Sequence, residues 1–183
     1  MQPASSYIKL IEEHREEARR KDRAVRGLFP SNVYVQRLLS KAEALHVLFL
    51  GSQVSEQWLY HPAYRTLCVW LPDLKDTSLS YLVTMLAHEL GHVLDFDAKP
   101  QYLEAIRDIP WFAVPSEIEL SAFVSGFRII QELGIPVTLV QYCQMIERPM
   151  SDLVARVVSG DWALNEAVYS LGEEPLVHVK RAG

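Results

Sequence analysis

Apolar positions along this chain change their spacing from stretch to stretch, and the changes mark out its elements. Between Ser78 and Phe96, Leu79, Leu82, Val83, Leu86, Leu90, Val93 and Leu94 recur at steps of three and four, the period of a helix with one apolar stripe. Tyr81, Thr84, Met85, His88, His92 and Asp95 fall on the other side. The pattern predicts a helix that buries one face in a core and turns both histidines toward a shared space. Asp76, Thr77 and Ser78 supply its N-cap.

Before that stretch, residues 6–27 read as a charged helix whose thin stripe is Ile8, Leu10, Ile11, Ala18 and Val25. Its many charges suit a solvated face laced with i to i+4 pairs better than a partner-binding helix. Gly27 and Pro30 end it, and Val33 to Leu45 predicts a second helix with Val35, Leu38, Leu39, Ala42 and Leu45 inward. The runs His46 to Leu50 and Thr66 to Leu71, bounded by Gly51 and Pro72, predict short buried strands, with a further strand or turn around Trp58 to Tyr60. Thr66 to Leu71 is the candidate edge strand, able to bind an extended peptide through main-chain hydrogen bonds. An interior strand fits the same residues equally well.

After Asp97 comes a loop-rich passage with Pro100, Pro110 and Pro115 and a helical turn at Tyr102 to Ile106. A helix then opens at Ser116, runs to Leu133 and stops at Gly134 before Pro136. Short helices follow over 137–146, 152–158 and 161–171, and residues 176–180 alternate like a strand. The expected architecture is α+β, with a small sheet packed on the central helix. A single domain is expected over 1–183: N-terminal helices over 1–45, a core over 46–134 and a helical extension over 135–183.

Composition narrows the function. The chain has 183 residues, a net charge of −5, 49% hydrophobic and 22% charged residues, ordinary values for a globular protein. Nothing in that balance points to a nucleic-acid-binding surface. Cys68 and Cys143 belong to no C-x-x-C pair, so no disulfide framework is indicated. No apolar run reaches the roughly 20 residues a membrane span needs, and the N-terminus lacks a signal pattern, so a cytoplasmic location is expected.

The chemistry lies in His88-Glu89-Leu90-Gly91-His92. Histidines four apart on a helix sit about 5–6 Å apart at Cβ and can grip one ion. Catalytic zinc takes three protein ligands at about 2.0–2.2 Å and keeps one position open. Glu89 lies about 100° round the helix from His88, beside the ion, where it can act as general base toward a water the metal activates. This is the H-E-x-x-H pattern of zinc peptidases. The competing reading is two surface histidines and a helix-favouring glutamate. Gly91 weakens the helix by about 1 kcal/mol relative to alanine, a cost that close approach of another backbone would explain.

A third ligand has to come from elsewhere, and the helix opening at Ser116 offers Glu117 and Glu119. Two positions apart, they point about 200° from each other, so only one can serve. Ser116 and Glu119 form a capping box, which gives Glu119 a local task and leaves Glu117 for the metal. Asp95, three residues past His92, is read as accepting an N–H of a ligating histidine rather than binding the metal, with surface exposure as the alternative. His61, Tyr64, Tyr142, Tyr169, Arg128 and His178 are all candidates to stabilise an oxyanion. The tail strand could occupy an edge at Thr66 to Leu71 and bring His178 to the zinc, or it could pack elsewhere.

From Thr66 to Leu133 the chain resembles the gluzincin metallopeptidases, most closely the ImmA/IrrE type and the minigluzincins. Their glutamate helix reads E-x-E-A-N-x-F-A with the first glutamate on zinc. Here it reads Glu117-Ile-Glu119-Leu-Ser-Ala-Phe123-Val, with Leu120 and Ser121 departing from the pattern. The resemblance implies one Zn2+ on His88, His92 and Glu117, Glu89 as catalytic base, and endopeptidase cleavage of a protein substrate, in that family often a transcriptional regulator. From charge and the absence of a long apolar run, no direct partnership with nucleic acid or membrane is expected. The alternative is a zinc-bearing or metal-free interaction module that binds a partner without cutting it.

Overall fold

The structure, a computed structural model, describes residues 13, 16, 17, 19–110 and 113–160. It is α+β, mostly helical, with one three-stranded mixed sheet. The chain divides into two compact units, Met1–Lys75 and Asp76–Gly183, a boundary inside the span 46–134 expected to form the core. The sheet lies in the first unit and the His88–His92 helix in the second.

In the first unit, helix α1 spans 19–26 and helix α2 spans Val33–Ala44. The Asn32 side chain caps α2 by accepting from the Tyr34 N–H at 2.9 Å, and Val35, Leu38, Leu39 and Ala42 are its buried face. Strand β1 is Leu48–Ser52. It starts two residues later than the apolar run begins, because His46 turns the chain with φ 56° and the Val47 N–H returns to the Ala42 carbonyl at 2.9 Å. The charged helix is solvated over most of its described surface, as expected, with Arg19–Glu16 and Lys21–Glu17 paired along it, but two of its charges reach further. Asp22 accepts from the Phe49 N–H at 2.9 Å and pairs with Arg26, whose guanidinium also donates to the carbonyls of Leu39 and Val47. Two charges of α1 thus tie it to α2 and β1.

Strand β2 is Leu59–His61 and strand β3 is Thr66–Trp70, joined by a 3-10 turn at Pro62–Tyr64 with Arg65 in the left-handed region at φ 46°. The order is β1-β3-β2, with β1 parallel to β3 (Leu48 opposite Thr66) and β2 antiparallel to it (Tyr60 opposite Leu67). The stretch expected as an edge is therefore the central strand. Over Thr66–Cys68 its main chain is paired on both sides, so no further strand can add to it there. Helix α3, Asp73–Asp76, follows.

The second unit is built on helix α4, Leu79–Ala98, with the Ser78 hydroxyl accepting from the Tyr81 N–H at 3.2 Å as its N-cap. Leu82, Val83, Leu86, Leu90 and Val93 are fully buried, each such residue worth roughly 1.5–3 kcal/mol over exposure. The polar side is buried as well: Thr84, His88, Glu89, His92 and Asp95 are 0–7% exposed. Helix α5, Gln101–Ile106, comes next, and helix α6, Ser116–Glu132, ends where Gly134 takes φ 59°. Helix α7, Leu139–Gln144, carries a capping box between Thr138 and Gln141, and helix α8 is Met150–Ser159. The helix expected over 161–171 and the strand over 176–180 lie outside the described residues. Among the described residues no helix is long and apolar enough to cross a membrane.

Helices α4 and α6 run in opposite senses and touch backbone to backbone. A Cβ on Gly91 would lie 2.1 Å from the Ala122 carbonyl oxygen, and one on Gly126 would lie 2.7 Å from that of Ala87. Gly91 thus has the backbone neighbour its place in a helix called for. Elsewhere in a helix, glycine to alanine gains about 1 kcal/mol. Gly91→Ala is expected to reverse that sign and destabilise the protein by about 2–4 kcal/mol, read from the urea midpoint, because the crossing has to open.

Candidate metal centre

The crossing decides which side chains meet. Ala122 and Gly126 form the α6 face against α4. Glu119 stands three and seven residues before them, and so on the same stripe, whereas Glu117 is rotated about 200° away. The structure accordingly brings Glu119, not Glu117, to the histidines. Glu119 Oε2 lies 3.3 Å from His88 Nε2 and Glu119 Oε1 lies 3.5 Å from His92 Nε2. Glu117 is exposed on the first turn of α6.

The assignment of Glu117 failed at the cap. Pro115, with φ −56° and ψ 135°, is the N-cap residue, no side chain caps this end, and Ser116 is already helical. The Ile118 and Glu119 N–H groups bond to the Pro115 carbonyl at 2.9 and 3.2 Å. With the frame displaced by one residue no capping box forms, and Glu119 is released to point along α4. The small residues Ala122 and Gly126 were the sequence signal that could have identified the glutamate that meets the histidines.

His88, His92 and Glu119 each offer a ligand atom within 4.8 Å of the others and could hold a metal ion. A charge-assisted N–H···O contact closes to about 2.7–2.9 Å. A tetrahedral centre with bonds of about 2.0–2.1 Å instead spaces its ligand atoms about 3.3–3.4 Å apart. The observed 3.3 and 3.5 Å, each to a different oxygen of Glu119, are longer than the first and near the second. The ring of Phe123 stacks on His88 with centroids 3.8 Å apart, and His88 and His92 meet edge to face at 4.6 Å. Both imidazoles are therefore held in orientation by packing.

Electrostatics separates the two rings. Burial lowers His88 to about 4, against the pull of Glu119, so the ring is neutral and its nitrogen is available as a ligand at neutral pH. Burial alone would lower His92 too, but the contact with Glu119 and the charges of Glu89, Glu119 and Asp95 raise it overall. Burial would raise the Glu119 carboxyl, yet the two histidines hold it well below the usual carboxylate range. Glu89, 3% exposed, thus lies near enough to His92 to act through its charge without joining the ligand group.

Asp95 also stays out of that group. Its Oδ1 receives Lys99 Nζ at 3.2 Å and Ser125 Oγ at 3.2 Å, and Lys99 Nζ also reaches Ser121 Oγ at 2.6 Å. Of the oxyanion candidates, Tyr142 is fully buried and its hydroxyl donates to the Phe123 carbonyl at 2.9 Å, so it braces α6. Arg128 is exposed, His61 and Tyr64 stack on each other at 4.3 Å within the first unit, and Tyr169 and His178 lie outside the described residues.

Glu119→Ala is expected to weaken zinc binding by more than about 100-fold, since a charged ligand is lost. Glu117→Ala should leave zinc affinity unchanged and cost at most ~1 kcal/mol through the helix dipole. Competition against a chromophoric chelator reads both. The reverse ranking would restore Glu117 to the site. No family model matches the chain, and no curated protein or solved structure is found to match it.

Proposed function

We propose that this protein is a zinc-dependent endopeptidase of the zincin type, related to the gluzincins, that hydrolyses a peptide bond of a protein substrate. One observation carries the reading: two buried histidines and a half-buried glutamate offer ligand atoms within 4.8 Å of one another, with a second buried carboxylate, Glu89, beside them. Two histidines and one glutamate with a fourth position open is the ligand set of catalytic rather than structural zinc.

His88, His92 and Glu119 would hold the ion. When bound, zinc supplies Lewis acidity, lowering the pKa of water and polarising a carbonyl. The protein's own groups do the rest. Glu89 accepts a proton from the attacking water on its carboxylate and returns it to the leaving nitrogen as the C–N bond breaks. Burial strengthens each of these interactions, because little water screens charges there. Phe123 and Tyr142 keep the His88 ring and the α6 backbone in place while charge redistributes. Because Thr66–Cys68 is paired on both sides, an extended substrate cannot add to β3 as a further strand there.

Purified protein is expected to carry about one zinc per chain and to cleave an unfolded protein substrate. Glu89→Gln should keep the zinc and lose roughly 10²–10⁴-fold in rate. Elemental analysis beside a protease assay of both proteins checks this. Zinc with no cleavage in either would place the non-cleaving interaction module ahead, and undiminished cleavage by the variant would remove Glu89 from the reaction.

A further inference from the structure

We infer that Lys99 is a positioning residue for the metal centre. Its ammonium, bonded to Asp95 of α4 and Ser121 of α6, fixes the rotation of α6 about its own axis and so the aim of Glu119. The inference rests on the metal centre proposed above and deepens it. Lys99 Nζ lies 3.2 Å from Asp95 Oδ1 and 2.6 Å from Ser121 Oγ, and its main-chain N–H closes α4 on the Asp95 carbonyl at 2.7 Å. The same ammonium stands 5.0 Å from the centre of the Tyr102 ring on α5. One cation thus joins three helices of the second unit. Burial would lower its pKa, yet the bond to Asp95 and the charge of Asp95 raise it overall, so it stays charged at neutral pH.

The angular positions on α6 show why that bond matters. Ala122 and Gly126 meet the α4 backbone at Gly91 and Ala87. At about 100° per residue, Ser121 and Ser125 stand roughly 60–100° to one side of Ala122, and Glu119 and Phe123 roughly 60–100° to the other. Small residues at the contact let the backbones approach but put no side chain in the way of rolling. A roll of about 10° moves a group about 5–6 Å from the helix axis by about 1 Å. Metal ligands keep their distances to within about 0.2 Å, so the centre requires α6 to be locked against rolling.

Both sides of the crossing carry a lock. On the Glu119 side, the Phe123 ring stacks on His88 and its carbonyl accepts from the Tyr142 hydroxyl. On the other side, Lys99 donates to Ser121 and the Ser125 hydroxyl donates to Asp95 Oδ1 at 3.2 Å. Of these two serine contacts, the one from Lys99 is the shorter and has an ionised donor, which makes it the stronger. With Asp95 and Tyr102 holding the ammonium from α4 and α5, the bond to Ser121 restrains α6 and does not simply follow it.

The test combines zinc affinity with the NMR signals of the His88 ring, whose protons lie over the face of Phe123 and should resonate upfield in wild type. Lys99→Met keeps the stem and removes the ammonium. It should weaken zinc binding about tenfold and return the His88 signals toward their ordinary positions. Coulomb attraction alone would make the loss of a positive charge tighten binding of a divalent cation, so the weakening has the sign of a positioning role. Ser121→Ala should act in the same direction, and Ser121→Thr, which keeps the hydroxyl, should restore both readouts. General destabilisation lowers the folded fraction but leaves folded-state shifts in place. Zinc affinity within twofold of wild type in either Lys99→Met or Ser121→Ala, or weaker binding with unmoved His88 signals, would overturn the inference. Should Lys99→Met not fold, the two serine variants decide alone. Wild type that takes up no zinc would refute the metal centre by itself. The lock is then decided on the metal-free protein, where His88 signals that move in Ser121→Ala and return in Ser121→Thr keep it, and unmoved signals end it.

Discussion

The site depends on two helix backbones touching with no side chain between them. At Gly91 and Gly126 the distance between α4 and α6 is set by main-chain atoms, because any Cβ there would fall inside the van der Waals envelope of a carbonyl. That closeness lets a glutamate on one helix reach two imidazoles on the other. Phe123, on the same helix as Glu119, reaches the His88 ring for the same reason. A wider crossing would lengthen every one of these contacts together.

Bringing the helices so close also buries an unusual amount of charge. Glu89, Asp95 and Glu119 converge on two imidazoles, and Lys99 is the cation hydrogen-bonded within the group. When ionised, three carboxylates against one ammonium leave two negative charges in a region of low dielectric. Such charge is costly unless it is paired. The cluster offsets part of it by favouring a proton on His92, while burial keeps His88 neutral and adds no compensation. A divalent cation between the histidines and Glu119 would offset it more completely, so the electrostatics and the ligand spacing favour the same occupant.

In the first unit, charge has a structural use. Asp22 accepts from an N–H of β1, and Arg26 donates to a carbonyl within α2 and to one just before β1. Arg26 also lies over the Phe49 ring, 4.7 Å from its centroid. A solvated helix rich in charge can therefore still be tied to distant main chain by two of its residues. Where the partner is a main-chain group far along the sequence, spacing within the helix carries no record of it.

Sequence alone determined what depends on neighbours within one turn. The α4 period, the Ser78 cap, the pairing of His88 with His92 and the stop at Gly134 follow from local spacing and backbone preference. Gly91 even announced that another backbone lies near, since a glycine inside so apolar a helix lacks a local reason. Tertiary structure decided what depends on which faces meet. A cap displaced from Ser116 to Pro115 released Glu119, and the packing of Ala122 and Gly126 on α4 chose it over Glu117, about half a turn away. The rank of β3 in its sheet is of the same kind. The short apolar run implies that Thr66 to Trp70 is extended, but only pairing with both β1 and β2 makes it central. Periodicity reports the surface a segment offers; the partner that covers that surface is set by long-range packing.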